Sequence, residues 1–273
     1  MTTMTPALDI DSEYSISSEQ IARFQRDGYI KLKDVLSPEV LDHYGREITR
    51  QVLLLNKEDK PLEQRSTYGK AFLQIMNLWL KSDTVREFVL GKRLARIASD
   101  LLQTDGVRLY HDQALYKEAS GGYTPWHIDQ FYWPLSTEKT VTAWIPLHAV
   151  PIENGPLAFS VGSQRIKIGR DLEISDESEK KIDEHLKLSN LPYDETPFAL
   201  GEVSFHYGYT FHRAGPNKLS KPREVMTIIY MDKDMKLAEP KNKYQQSDWD
   251  TWCTGAKVGE VIDTPLNPVI YSR

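Results

Sequence analysis

The apolar positions of the first hundred residues repeat with the three-to-four-residue spacing of amphipathic helices. In SSEQIARFQRDGY, Ser17 and Gln20 have the spacing of a capping box, which predicts a helix start. Pro38 suits the first turn of a second helix, and SDTVREFVLGKRLARIASDLLQ predicts helix on both sides of a break at Gly91. Residues 1–104 are therefore expected to be mostly helical.

After residue 105 the pattern changes to short runs of β-branched and aromatic residues, such as VRLYHDQALYKE, TVTAWIPLHAV and REVMTIIYM. The segment 168–195 is polar and charged, which predicts a surface excursion and a candidate moving flap. Helices followed by many short strands predict one mainly β domain over 1–273, with a sandwich or barrel over 105–235 and a helical buttress. Residues 236–273 form a C-terminal extension in this scheme.

Composition narrows the class of protein. The 40% hydrophobic and 27% charged content is ordinary for a globular chain. A net charge of −5 argues against nucleic acid or an anionic membrane as the main partner and leaves a small-molecule substrate, with the oligomeric state open. Cys253 is the one cysteine, so an intramolecular disulfide and a thiolate-rich zinc site are excluded. Without a signal-peptide pattern or a long apolar run, we expect a cytoplasmic location.

Candidate chemistry lies in the stretch TPWHIDQFYW. On a strand, the side chains of His127 and Asp129 would point to the same face, which suits a metal site. Either His206 or His212 could complete a set of two histidines and one carboxylate. That set leaves three positions of the ion open and is typical of non-haem Fe(II) oxygenases. The remaining four histidines are expected to be solvated, structural or supporting residues, and they are His43, His111, His148 and His185.

An anionic cosubstrate would need a cation near the metal. Arg223 follows His212 by 11 residues and His206 by 17, so one turn and a strand could return it from His212 more easily. A guanidinium binds a carboxylate through two parallel hydrogen bonds, whereas an ammonium cannot reproduce that geometry. The alternative for Arg223 is an exposed charge beside Pro222.

In this order, the motifs WHID, AWIPL, NGPLAFSVGS, GEVSFHYGYTFHRAGPN and KPREV resemble the phytanoyl-CoA dioxygenase family of Fe(II)/2-oxoglutarate-dependent oxygenases. The opening EQIARFQRDGYIKLKDVLSPEVLDHY and the ending WDTWCTGAKVGEVIDTPLNPVIY are similar to the same family, so the resemblance covers nearly the whole chain. It implies a double-stranded β-helix, a cupin-like jelly roll, with helices flanking it. It also implies Fe(II) as cofactor and 2-oxoglutarate and O2 as cosubstrates.

The resemblance assigns roles to individual residues. The metal ligands of the family fall on His127, Asp129 and His212, and His206 falls where the family usually has an aromatic residue. The residues implied to contact 2-oxoglutarate are Arg223, Trp144 and Gln113. The candidate substrate contacts, chosen because they neighbour these positions in sequence, are Tyr116, Phe131, Trp133, His206 and Arg213.

The expected reaction is oxidation, most simply hydroxylation, of an unactivated C–H bond while 2-oxoglutarate is decarboxylated to succinate and CO2. Desaturation, epimerisation or ring formation with the same cofactors is an alternative, because the outcome depends on how the substrate is held. A non-catalytic cupin-like binding protein and a zinc hydrolase are further alternatives. The complete ligand set weighs against the first, and Arg223 and Trp144 would be unexplained by the second.

Overall fold

The computed structural model describes residues 8–273. Residues 1–7, to which the prediction of no signal peptide also applies, lie outside the described residues. Its helices are α1 Ser18–Asp27, α2 Pro38–Leu55, α3 Thr67–Ala71, α4 Asp83–Val89, α5 Lys92–Leu102, α6 Asp176–Leu188 and α7 Lys243–Trp252. Its strands are β1 Tyr29–Leu32, β2 Leu73–Met76, β3 Gly106–Tyr116, β4 Thr124–His127, β5 Thr140–Pro146, β6 Leu157–Ser160, β7 Tyr193–Asp194, β8 Val203–Tyr207, β9 His212–Ala214, β10 Val225–Asp232 and β11 Val269–Ser272.

Two antiparallel sheets carry the fold. The larger has the order β1-β8-β5-β10-β3-β11, and β2 also pairs with β3. The smaller has the order β4-β9-β6-β7. The many crossovers between strands that are distant in sequence are those of a jelly roll, and the sheets do not close into a barrel. The predicted mainly β fold with flanking helices is confirmed.

The N-terminal helices begin and end where the sequence predicts. Ser17 forms the full capping box of α1, and Gly28 ends that helix with φ +83°. Gly91 separates α4 from α5. These helices pack on one face of the large sheet in a continuous core that includes Phe24 and Ile97. Burial of this apolar surface is what fixes the buttress to the sheet.

The N-terminal region differs from the expectation in one respect, because it also supplies two strands. β1 pairs with β8 and β2 with β3, so this region extends the large sheet as well as supporting it. The 236–273 extension likewise joins the sheet, since β11 pairs with β3.

The charged excursion contains a helix and is not an irregular loop. Helix α6 begins with a capping box at Ser175. It buries Ile182 and Leu186 against Trp126 and Phe211 of the small sheet. The polar composition of the segment therefore reflects one solvated face of an amphipathic helix.

Among residues 8–273, no helix combines the length and apolar character needed to cross a bilayer.

Candidate metal centre and cosubstrate pocket

The structure brings His127, Asp129 and His212 together at one end of the small sheet. His127 is the last residue of β4 and lies directly opposite His212, the first residue of β9. Asp129 follows in a 3-10 turn, so it is not on the strand as expected. The turn still directs its carboxylate to the same point, because Asp129 Oδ1 lies 3.7 Å from His127 Nε2 and 3.6 Å from His212 Nε2.

Backbone hydrogen bonds orient both imidazoles. His127 Nδ1 lies 2.7 Å from the carbonyl oxygen of Pro125, and His212 Nδ1 lies 2.9 Å from that of Thr210. A carbonyl oxygen only accepts, so Nδ1 carries the proton in each ring. Both Nε2 atoms therefore present a lone pair toward Asp129, as metal-binding histidines do.

The second carboxylate oxygen of Asp129 has different neighbours. Thr142 Oγ1 donates to Oδ2 at 2.9 Å, and His206 Nε2 lies 3.2 Å from the same atom. Thr142 and His206 are cross-strand partners on β5 and β8, which explains why both reach one atom. An ionised carboxylate only accepts, so His206 presents an N–H and not a lone pair.

Electrostatics favour the protonation states that a metal requires. Burial lowers the pKa of His127 and also that of His212, whose pKa the nearby His127 lowers further. Burial alone would raise the pKa of Asp129, but His212 and His206 reverse this and hold it below its ordinary value. Two neutral imidazoles and one carboxylate are the ligand forms that bind a divalent cation.

These donors fit an iron ion. One nitrogen or oxygen from each of the three residues lies within 4.8 Å of the others, and the residues are buried or half-buried. Two metal–ligand bonds of about 2 Å span at most about 4 Å. The 3.7 and 3.6 Å from Asp129 Oδ1 to Nε2 of His127 and of His212 are within that span, so these residues could hold a first-row metal. The carboxylate has no lysine or arginine within 4.0 Å in residues 8–273, so a metal would supply the missing positive charge.

Arg223 lies two residues before β10 and is 1% exposed. Its backbone pairs with that of Lys117, its Nη1 donates to the carbonyl of Gly155, and its Nε has no protein partner. Gly155 has φ +69°, and a Cβ there would lie 2.3 Å from the carbonyl oxygen of Gly215, so a side chain cannot be accommodated. Within the described chain, no carboxylate lies within 4 Å of this guanidinium. A buried cation without a counter-charge is costly unless an anion pairs with it.

Arg223 and the three donor residues line one cavity of about 490 Å³, within the range of small-molecule sites. A row of paired residues across the large sheet forms its floor, with Gln113 opposite Thr227 and Thr227 opposite Trp144. The Trp144 ring centroid lies 5.3 Å from the guanidinium carbon of Arg223. The sequence-predicted cosubstrate residues therefore all line the same cavity as the metal donors.

Two of the five predicted substrate contacts, Trp133 and His206, also line the cavity. Arg213 does not, because it follows His212 on a strand and so points to the opposite face, where its Nη2 lies 2.8 Å from Glu179 Oε1. The expectation for Arg213 is therefore corrected to a partly buried ion pair.

The other two predicted contacts are also corrected. Tyr116 points away from the inner face that carries Gln113, and its hydroxyl lies 2.8 Å from Thr49 Oγ1 within the helical core. Phe131 packs with Tyr132 and Tyr244 and lines a separate surface depression. Adjacency in sequence did not predict adjacency in space, because strand residues such as Tyr116 and Arg213 alternate between faces, while Phe131 lies in the 3-10 turn that follows β4.

Several residues that line the cavity could have been identified from their spacing in the sequence, although the motifs above did not point to them. Thr142 stands two residues before Trp144 and therefore shares its face. In YQQSDWDTW, Tyr244, Asp248 and Trp252 follow each other at four-residue spacing, which places them on one side of α7. All of these side chains line the cavity, so the C-terminal extension contributes part of its wall.

The remaining histidines are not part of the donor cluster. His148 Nε2 accepts from the backbone N–H of Glu224 at 3.1 Å, His43 is exposed and His185 is half-buried. His111 is buried, lines the cavity and leaves Nδ1 without a partner. Burial lowers its pKa to about 4, so it is a neutral polar group on the cavity wall.

A jelly roll whose open end carries two histidines, one carboxylate and a buried arginine defines a non-haem iron oxygenase. The chain belongs to the phytanoyl-CoA dioxygenase (PhyH) family, whose family model matches residues 24–225. A probable alpha-ketoglutarate-dependent hypophosphite dioxygenase of Stutzerimonas stutzeri is 24% identical over 230 residues, which cover 80% of this chain and 79% of that protein.

Solved structures agree with this assignment. The non-heme alpha ketoglutarate dependent epimerase SnoN from nogalamycin biosynthesis is 25% identical with a TM-score of 0.76, covering 93% of this chain and 96% of its own. The carbocyclase SnoK from the same biosynthesis is 23% identical with a TM-score of 0.75, covering 94% and 97%. EctD from S. alaskensis with bound Fe is 21% identical with a TM-score of 0.69, covering 93% and 92%; it and SnoK show the fold alone.

A second structure of SnoN contains Fe3+, alpha ketoglutarate and nogalamycin RO. Together with family membership and the donor cluster, it confirms that the chain is an Fe(II)/2-oxoglutarate-dependent dioxygenase. The expected cofactor chemistry is therefore confirmed, while the individual reaction is a separate question.

Proposed function

We propose that the enzyme hydroxylates an unactivated C–H bond of a small organic substrate. In the balanced reaction, 2-oxoglutarate, O2 and R–H give succinate, CO2 and R–OH. We assign His127, Asp129 and His212 as the iron ligands. When bound, the iron supplies the redox chemistry that activates dioxygen, and the chain supplies position, charge and a cavity shielded from water.

The assignment of His212 in preference to His206 rests on the direction of their protons. His212 gives its Nδ1 proton to a backbone carbonyl and keeps Nε2 free, whereas His206 directs an N–H at Asp129. His206 and Thr142 then hold one oxygen of Asp129, which leaves Oδ1 facing the two ligand nitrogens.

We assign Arg223 as the partner of the distal carboxylate of 2-oxoglutarate, with Trp144 and Gln113 beside the cosubstrate. The single observation that carries the proposal is a buried, unpaired guanidinium in the same cavity as the donor cluster. A buried arginine without an acidic partner is unfavourable for the fold by itself, and this environment suits an anionic ligand.

The test is succinate release by the iron-loaded enzyme with 2-oxoglutarate, measured over a panel of small organic candidates with product analysis by mass spectrometry. We expect a mass gain of one oxygen in the product and no succinate from His212→Ala. A product of unchanged mass with inverted configuration would replace hydroxylation by epimerisation, the reaction named for SnoN. Loss of two hydrogens would indicate desaturation or ring closure.

We further propose that the chain acts as one catalytic domain. Helix α7 lines the cavity, β11 pairs with β3, and the N-terminal β1 and β2 belong to the same sheet. Location in the cytoplasm stays a prediction from the N-terminal sequence pattern.

A further inference from the structure

Beyond the metal donors and Arg223, the outer part of the cavity has a distinct composition. Its wall contains the aromatic side chains of Tyr132, Trp133, Tyr244 and Trp252. It also contains the carboxylates of Asp248 and Glu173. Apart from histidines, Arg223 is the one basic residue among those that line the cavity.

Asp248 is the more enclosed of the two carboxylates. Its Oδ2 accepts a hydrogen bond from the Tyr110 hydroxyl at 2.8 Å, which fixes the group at the base of the wall. In residues 8–273 no lysine, arginine or histidine forms an ion pair with Asp248 or Glu173. Lys243 instead places Nζ 4.8 Å from the ring centroid of Tyr244.

The enclosure of Asp248 without a cation is unfavourable for its charged form. Burial raises the pKa of Asp248 to about 7, so the enclosure disfavours the charged carboxylate. A bound cation would restore the carboxylate and provide the missing partner. The neighbouring aromatic faces attract the same kind of group through cation–π contacts.

A second, independent feature points to a polar ligand at this wall. His111 is 3% exposed, lines the cavity and has an Nδ1 atom without any hydrogen-bond partner. Its ring lies 5.6 Å from that of Trp252, so the imidazole belongs to the same wall as the aromatic residues. Buried polar groups are rarely left unpaired, so His111 adds a polar group that the protein does not fully satisfy to the wall of the cavity.

We propose that the primary substrate is an organic amine, whose ammonium group pairs with Asp248 while its apolar body packs against Trp252 and Tyr244. The inference rests on the proposed function, because it concerns the substrate side of the same cavity. A small inorganic anion such as hypophosphite does not fit this wall, since Arg223 is committed to the cosubstrate and the remaining charges are negative. The cavity volume of about 490 Å³ also exceeds what such an ion needs.

The experiment measures binding of three matched probes to the enzyme loaded with Fe(II) and 2-oxoglutarate without oxygen, by titration calorimetry. The probes are 2-phenylethylammonium, the neutral 2-phenylethanol and the anionic 3-phenylpropanoate. We expect the ammonium to bind about tenfold more tightly than the alcohol, and the anion to bind most weakly.

Two variants and one control test which residues cause the preference for the ammonium probe. Asp248→Asn keeps an oxygen for the Tyr110 hydroxyl and is expected to abolish most of the tenfold advantage of the ammonium. Asp250→Asn is the matched control, since Asp250 lies on the same helix, is exposed and does not line the cavity. Glu173→Gln alters an exposed residue, so folding is not at risk, and should reduce the advantage by about threefold.

Equal binding of all three probes, preference for the anion, or no binding of the ammonium up to its solubility limit would overturn the substrate class. An advantage that survives Asp248→Asn and Glu173→Gln would overturn the assigned residues. The proposed function is tested separately, by succinate formed from 2-oxoglutarate without any probe. Slow succinate release without any preference for the ammonium probe would refute the amine substrate and still support the oxygenase function.

Discussion

The hydrogen bonds on Asp129 Oδ2 allow a quantitative prediction of iron affinity. Thr142→Val keeps the shape of the side chain and removes the 2.9 Å hydrogen bond to this oxygen. Hydrogen bonds to charged groups contribute about 1.5–3 kcal/mol, and each 1.4 kcal/mol is roughly tenfold in affinity. We therefore expect Fe(II) to bind about 10- to 100-fold more weakly, because the carboxylate can turn away from His127 and His212.

His206→Ala removes the other contact to the same oxygen and should weaken iron binding by a similar factor without abolishing it. His212→Ala, in contrast, should abolish it. The double variant of Thr142 and His206 should lose less than the sum of the two single effects, because both groups act on one atom.

The assay is anaerobic titration of the metal-free protein with Fe(II) against a chromophoric chelator. Ser204→Ala is the control, because Ser204 lies on β8 two residues before His206, is fully buried, and its hydroxyl has no hydrogen-bond partner. Unchanged affinity in Thr142→Val, or equal loss in Ser204→Ala, would refute the reasoning. If His206→Ala lost iron and His212→Ala retained it, His206 would be the metal ligand in place of His212.

Three further predictions follow from the site. Arg223→Lys should raise the KM for 2-oxoglutarate by about 10- to 100-fold, since one of two charged hydrogen bonds is lost, with Fe(II) affinity unchanged; an unaltered KM would remove Arg223 from the cosubstrate site. Burial lowers the pKa of His127 and His212 in the metal-free protein, so protons compete with iron only below the ordinary histidine value of about 6.5. Iron affinity should stay constant from alkaline pH down to roughly that value and then fall, and a decline centred above it would contradict the burial argument. Arg213→Gln should leave kcat/KM unchanged and lower the free energy of unfolding by up to about 1 kcal/mol in denaturant titrations, since its partner is Glu179 on the outer face; a large fall in kcat/KM would return Arg213 to the substrate side.

Much of the fold could be read from the sequence because its signals are local. The capping box at Ser17 and the breaks at Gly28 and Gly91 all mark helix ends in the structure. Each depends on backbone hydrogen bonds within a few residues, so neighbouring side chains suffice to determine it. The strands β1 and β2 were not predictable in the same way, because a short strand is stabilised by its partner across the sheet.

The candidate site, like the fold, could be predicted from the sequence only in part. The family resemblance implied His127, Asp129, His212 and Arg223, and all of them line one cavity. Residue type alone does not distinguish His206 from His212, since both lie in one apolar, aromatic stretch. The distinction comes from which ring atom meets a backbone carbonyl and which meets Asp129, and only the packed sheets fix that.

The sequence alone thus determined which chemical groups are available and where the main N-terminal helices begin and end, because those follow from residue type and local periodicity. The tertiary structure decided which groups face the cavity. Side chains alternate between the two faces of a strand, so Arg213 and Tyr116 point away although they neighbour cavity residues in the chain. It also placed Asp248 of α7 in the same cavity as His127 and Asp129, which lie more than a hundred residues earlier in the chain, since long-range contacts form only when the sheets pack together.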